Sequence, residues 1–211
     1  MSSEPDMFEP LPQEVRNYFK AIYDEVSWLQ LKWDFYKTLY DDEHNFTLVL
    51  DLAQTSFIII EDSLRTDMVM TICRLGDRKE YKSKKIIHDR LTFETLLNSA
   101  EINGSQDLFE KYRKASKNIR NSRNATIGHI DLNVAMNLSE FDKIRLSKKD
   151  FDKSLEVAWQ ILNSVYNHFV PNISLFPKVH ELSGASQLIY LLEVAQKHMN
   201  DLPEPYQGIS L

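Results

Sequence analysis

Residues 46–75 read FTLVLDLAQTSFIIIEDSLRTDMVMTICRL. Within this stretch Phe46, Val49, Ala53, Phe57, Ile60, Leu64, Met68, Ile72 and Leu75 recur at steps of three and four, the spacing that aligns side chains on one face of an α-helix. Leu48, Leu50, Ile58, Ile59 and Val69 widen that face beyond a single stripe, so the pattern predicts the most buried helix of the fold, at its centre. Gly76 follows at the expected end, where glycine suits a left-handed C-cap. Upstream of the polar break Asp41-Asp42-Glu43-His44, the series Val15, Phe19, Ile22, Val26, Leu29, Trp33, Tyr36 and Leu39 keeps the same period, and Pro12 suits the first turn of that helix. Residues 1–11, with Pro5, Pro10 and little periodicity, read as a flexible leader.

Downstream, Asp77 to Arg90 is a charged connection, and Thr92 is placed to cap a short helix carrying Phe93, Leu96 and Leu97, closed by the Asn103-Gly104 turn signal. From Asp107 to about Gly128 a thin stripe of Leu108, Tyr112, Ala115, Ile119, Ser122 and Thr126 lies on an otherwise cationic helix. Residues 130–138 alternate apolar and polar side chains, but one isolated strand has no sheet to join, so an extended packed connector is expected. Ser147 followed by Asp150 resembles a capping box and opens a helix through Leu155, Ala158, Ile161, Leu162, Val165 and Phe169. Pro171 and Pro177 mark a loop, a final helix spans about 183–199, and 201–211 form a tail. The sum is an all-α fold: an antiparallel bundle of about five or six helices, with two long N-terminal ones, in a single domain over 12–200.

Composition agrees. Five glycines in 211 residues leave no glycine-rich phosphate cradle and few of the tight turns a many-stranded sheet needs. A lone cysteine, Cys73, excludes an internal disulfide and a multi-cysteine zinc site and points to a reducing, cytoplasmic setting; beside the apolar stripe, it is expected in the core. No signal peptide or membrane span is legible. The histidines at 44, 88, 129, 168, 180 and 198 include no pair at helical metal-ligand spacing, and no other metal or cofactor motif appears. The net charge of −6 argues against a chain that coats nucleic acid with its whole surface.

The positive charge is concentrated in two runs. Lys111, Arg113, Lys114, Lys117, Arg120 and Arg123 occur without a carboxylate between residues 111 and 123. Arg74, Arg78, Lys79, Lys82, Lys84, Lys85 and Arg90 form the second run, offset by Asp77, Glu80 and Asp89. On charge alone, each run is as well read as a solvated face answered by acids from neighbouring helices as it is an anion site. The first run ends in Arg123-Asn124-Ala125-Thr126-Ile127-Gly128-His129-Ile130-Asp131. Arginine offers a fixed fork for a phosphate, and histidine exchanges a proton near neutral pH. The six-residue step leaves His129 about 120° from Arg123 around a continuous helix, so the helix should end or distort near Gly128.

Here the sequence resembles the HEPN superfamily, whose signature is an arginine, often followed by a polar residue, four to six positions before a histidine; Arg123, Asn124 and His129 match it. Arg74-Leu75-Gly76-Asp77 resembles the Arg-Leu-x-Asp block of the abortive-infection branch, and His129-x-Asp131 its His-x-Asp ending. The resemblance covers about residues 46–131. It implies a HEPN-like bundle and a metal-independent endoribonuclease that needs no cofactor. In that scheme His129 carries the proton, Arg123 clamps the phosphate, Asn124 orients one of them or contacts phosphate, and Lys117 and Arg120 guide the RNA backbone. Asp131, accepting a hydrogen bond from His129, would favour the charged imidazole. Arg74 and Asp77 are supporting residues, one turn apart and well suited to a mutual ion pair. In-line cleavage wants one proton acceptor and one donor, so the resemblance implies a homodimer with two histidines in one cleft. It also implies an antitoxin or nucleotidyltransferase partner. Some members carry a modified tyrosine two positions after the histidine, where this chain has Asp131. The other readings are a catalytically inactive module that binds RNA or nucleotide or serves as a scaffold, Arg123 and His129 as a mere helix-end cation pair, and, ranked third, a metal-dependent nuclease.

Overall fold

The computed structural model describes residues 7–83, 86–128, 146–175 and 184–199. Its elements in chain order are α1 (Gln13–Tyr40), α2 (Glu43–Leu75), β1 (Glu80–Ser83), β2 (Ile86–Asp89), α3 (Phe93–Ser99), α4 (Ser105–Ala115), α5 (Lys117–Arg123), a π-helical turn (Asn124–Gly128), α6 (Lys148–Phe169) and α7 (Ala185–Lys197). The all-α reading holds, with one small addition. Within the expected charged connection, β1 and β2 pair antiparallel, Glu80 opposite Asp89 and Ser83 opposite Ile86, in a segment where Tyr81, Ile86 and Ile87 supply β-propensity. Among the described residues there is one helix more than the six traced in the sequence, because the helix expected over 107–128 is interrupted at Ser116. That residue is buried, and its hydroxyl donates to the Tyr112 carbonyl (2.9 Å), a back-bond that competes with the helical ladder.

The chain divides into two compact units, Met1–Gln30 with Met68–Pro177 and Leu31–Asp67 with Lys178–Leu211. In the first, the predicted α1 stripe is buried from Val15 to Leu29 and meets α6 through Phe19 and Tyr23. Phe8, Phe19, Tyr23, Trp159 and Tyr166 form a chain of ring contacts 5.3–6.3 Å between centroids. Residues 7–11, expected to belong to a leader, join this core. Phe8 and Leu11 are buried, Tyr166 donates to the Met7 carbonyl, and Arg16 holds the carbonyls of Glu9 and Leu11. Thr92 caps α3 as predicted, its hydroxyl accepting from the Thr95 N–H (3.2 Å). At the start of α6 the Asp150 carboxylate accepts from both the N–H (2.8 Å) and the hydroxyl (2.7 Å) of Ser147. Burial alone would raise the Asp150 pKa, but these bonds and one from Asn118 hold it below its usual value.

In the second unit, residues 31–40 of α1 run antiparallel to 43–67 of α2, since Lys32 meets Asp67, Tyr36 meets Glu61 and Tyr40 meets Phe57. Leu39, Leu48, Val49 and Phe57 form its core with Ala185 and Ile189 of α7. The expectation that α2 is the most buried helix is corrected here. Only the positions turned toward α1 and α7 are covered, the helix is interrupted by non-helical backbone at Ala53, and Ile58, Ile59 and Ile60 are 49%, 61% and 39% exposed. The buried end of α2 is 68–75, in the first unit, where Met68, Ile72 and Cys73 have no exposed surface.

Candidate functional site

Three short pieces of backbone position the cationic segment. α4 packs on α3 and α6 through Phe109 and Tyr112. α5 has Ile119 as its buried residue, which turns Lys117 and Asn118 outward. The helix then loosens into the π turn at Asn124–Gly128, the distortion expected near Gly128 and a feature found disproportionately at functional positions. Thr126 ties the turn back to the Ser122 carbonyl (2.8 Å).

Arg123 stands at the junction. Its Nε and Nη2 donate to the side-chain oxygen of Asn124 (3.1 and 2.9 Å), so the amide takes one edge of the guanidinium and Nη1 has no partner among the described residues. The side chain lines a groove of about 490 Å³ together with Arg74, Arg90, Glu25, Asp77, Met70 and Leu91. The structure therefore brings Arg123, Arg74 and Asp77 together, three residues singled out from sequence. It does not make Arg74 and Asp77 a mutual pair: Arg74 binds Glu25 (2.5 Å) and Asp77 binds Arg90 (3.3 Å). Behind the groove, Cys73 is buried as expected. Burial raises its thiol pKa to about 11, against the lowering influence of the nearby Arg123 and Arg120 charges. The thiol stays neutral at physiological pH.

Arg120, expected on the RNA backbone, faces inward. Its Nη1 donates to the Gly76 carbonyl (3.3 Å) and its Nη2 to the Arg113 carbonyl (2.5 Å); burial and the adjacent Arg113 charge lower its pKa. It joins the start of α5 to the end of α2. Tyr112 completes the joint, fully buried, with its hydroxyl on the Ile72 carbonyl (3.0 Å); burial and the Cys73 sulfur hold the phenol far from ionisation. This node also corrects the reading of Gly76, whose φ is not positive. A β-carbon there would lie 3.0 Å from the Tyr112 ring and 3.5 Å from Arg120 Nη1, so the glycine permits a close approach. Lys117 is exposed and has no partner among the described residues. His129 and Asp131 lie outside the described residues, as does the connector expected at 130–138.

Sequence reasoning missed Glu25 and the place of Arg90. Glu25 carries no local signal, because it is an ordinary polar position of α1, 49 residues from the arginine it binds. Among the described residues no group of His, Cys, Asp and Glu is arranged to hold a metal ion, and no helix is long and apolar enough to cross a membrane.

A family model described as AbiU2, a HEPN family, matches residues 12–171. No curated protein and no solved structure matches the chain. The matched span takes in the end of α2, the groove, the π turn and α6, and by that match the chain belongs to the AbiU2 family of abortive-infection HEPN proteins.

Proposed function

We propose that this protein is a metal-independent endoribonuclease, acting in the cytoplasm as a homodimer in phage defence and restrained by an antitoxin partner. The observation that carries the reading is Arg123: a guanidinium gripped along one edge by Asn124, lining a groove, and followed within the same turn by the backbone that leads to His129. The ribose 2'-oxygen attacks the adjacent phosphorus and the bond to the 5'-oxygen breaks, giving a 2',3'-cyclic phosphate and a 5'-hydroxyl. His129 accepts the 2'-hydroxyl proton, and the partner subunit's His129 supplies one to the leaving oxygen. Arg123 balances the charge that grows on the non-bridging oxygens. Asn124 orients Arg123, Asp131 supports His129, Lys117 attracts the RNA backbone, and Arg120 acts by joining α5 to α2.

The test is purified full-length protein with total RNA in EDTA. Cleavage that leaves cyclic phosphate ends, and is lost in both Arg123→Ala and His129→Ala with melting temperature retained, is the expected result. RNA binding without cleavage overturns the enzyme reading in favour of a catalytically inactive RNA-binding module, and inhibition by EDTA overturns the metal-free mechanism.

A further inference from the structure

The groove beside Arg123 holds more than the catalytic scheme uses. Among the described residues it has three guanidiniums, on Arg74, Arg90 and Arg123, against two carboxylates, on Glu25 and Asp77. Each carboxylate is engaged by an arginine from another element, which holds the arginines in place while leaving one positive charge in excess. That excess matches the single negative charge of one phosphodiester. The rest of the wall is apolar, yet open: Met70 is 43% and Leu91 is 37% exposed. A thioether and a branched aliphatic side chain form a surface against which a flat π-system is covered on one face, and methionine sulfur makes favourable contacts with aromatic rings. At about 490 Å³ the groove falls within the range of small-ligand sites.

We infer that this groove is a subsite for one nucleotide of an RNA chain, with the phosphodiester held by Arg123 and the adjoining base laid over Met70 and Leu91. The inference takes from the proposed function only that the ligand is RNA, and it adds that recognition reaches beyond the phosphate to the base. Arg74 and Arg90 line the same groove, and their ion pairs with Glu25 and Asp77 keep a second phosphate from binding there with full strength.

The test uses a 2'-O-methyl adenine dinucleotide, which has no hydroxyl with which to attack, and its abasic counterpart, each titrated against the full-length protein by calorimetry. The wild type is expected to bind the base-containing probe about tenfold more tightly, the ratio falling to about twofold or less in the Met70→Ser, Leu91→Ser double variant. Arg123→Ala is expected to weaken both probes alike. Equal affinity of the wild type for the two probes overturns the inference without any variant, and so does a folded double variant that keeps the preference. RNA cleavage by the same preparation separates the two claims. Cleavage with no base preference removes the subsite and leaves the nuclease, whereas base preference without cleavage removes the nuclease and leaves the subsite.

Discussion

Two stretches of this chain look alike in composition and differ in what answers their charge. In residues 74–90 the cations whose side chains the structure describes are met by carboxylates: Arg74 by Glu25, Arg78 by Glu94 and Glu110, Lys79 by Glu80 and Arg90 by Asp77. In residues 111–123 neutral oxygens do most of that work. Lys111 donates to the Gln160 amide (2.7 Å), Arg120 to two backbone carbonyls and Arg123 to the Asn124 amide, while Lys114 and Lys117 are exposed. Only Arg113 has a carboxylate partner among the described residues, Glu110 at 3.6 Å. A neutral acceptor satisfies hydrogen-bond geometry but leaves the positive field in place, whereas a carboxylate cancels it. The 74–90 run is therefore scaffold and the 111–123 run keeps its attraction for an anion.

The sharpest way to break this contrast is to remove one arginine from each run. Arg123→Ala is expected to lower the initial rate of RNA cleavage by about 10²–10³-fold, the typical effect of deleting one donor that stabilises a transition-state oxyanion. Its melting temperature should not move, since among the described residues its hydrogen bonds are to Asn124 alone. Arg78→Ala is expected to leave cleavage unchanged and to cost at most about 1 kcal/mol of stability, because the side chain is half exposed and its ion pairs are screened. Equal losses of rate in the two variants would erase the distinction.

The joint between the two runs is the next point of attack. Gly76→Ala puts a methyl group 3.0 Å from the Tyr112 ring. That ring has no room to yield, because it packs edge-on against Phe93 at 4.6 Å and its hydroxyl is fixed to Ile72. Overpacking of this kind costs about 1–3 kcal/mol, measurable as a lower denaturant midpoint. If the cost falls on the joint that seats α5, RNA affinity should fall with it. A variant as stable as the wild type would show that the close approach is not required.

These particulars also say what the sequence made legible. The α1 stripe could be read because one period runs from Val15 to Leu39, and the Thr92 cap and the Ser147–Asp150 pair could be read because their partners lie three residues away. Arg123 and Asn124 were found on another ground, their match to the HEPN motif at the end of a cationic run, and the bond between them is one that the motif did not announce. The burial of α2 was misjudged because a helical period reports which residues share a face, not how many neighbours arrive to cover it. The second unit covers Leu48, Val49 and Phe57 and leaves Ile58 to Ile60 open. Gly76 was assigned to the wrong cause, because a close approach by Tyr112, 36 positions along the chain, has no local signature. The partners of Arg74 and Asp77 were hidden for the same reason, since a spacing of one turn suggested a pair that tertiary packing replaced with Glu25 and Arg90.

A subtler test of the contrast is the dependence of RNA affinity on salt. Each cation that neutralises a phosphate contributes a released counterion, so removing Lys117 or Lys114 is expected to weaken binding uniformly across sequences and to flatten the slope of log affinity against log salt by about 1. Arg78→Ala, already paired with Glu94 and Glu110, should leave the slope as it is. A slope that responds to Arg78 and not to the lysines would reverse the roles assigned to the two runs.

The smallest expected effect lies in the paired run and appears only in acid. Burial alone would raise the Glu94 pKa, but the Lys79 N–H (2.6 Å) and the Arg78 guanidinium (2.8 Å) hold the carboxyl below its ordinary 4.5. A depressed carboxylate binds its proton less readily folded than unfolded. Its contribution to stability is therefore complete above about pH 4.5 and is lost as the pH falls toward the folded value. Glu94→Gln keeps the shape and removes the titration. The variant should be less stable than the wild type near neutrality, and the difference should narrow steadily below pH 4.5 in denaturant titrations, because protonation takes from the wild type the interaction the variant already lacks. A difference independent of pH would mean that the Glu94 charge is not what sets it, and that the 74–90 run does not owe its neutrality to this carboxylate.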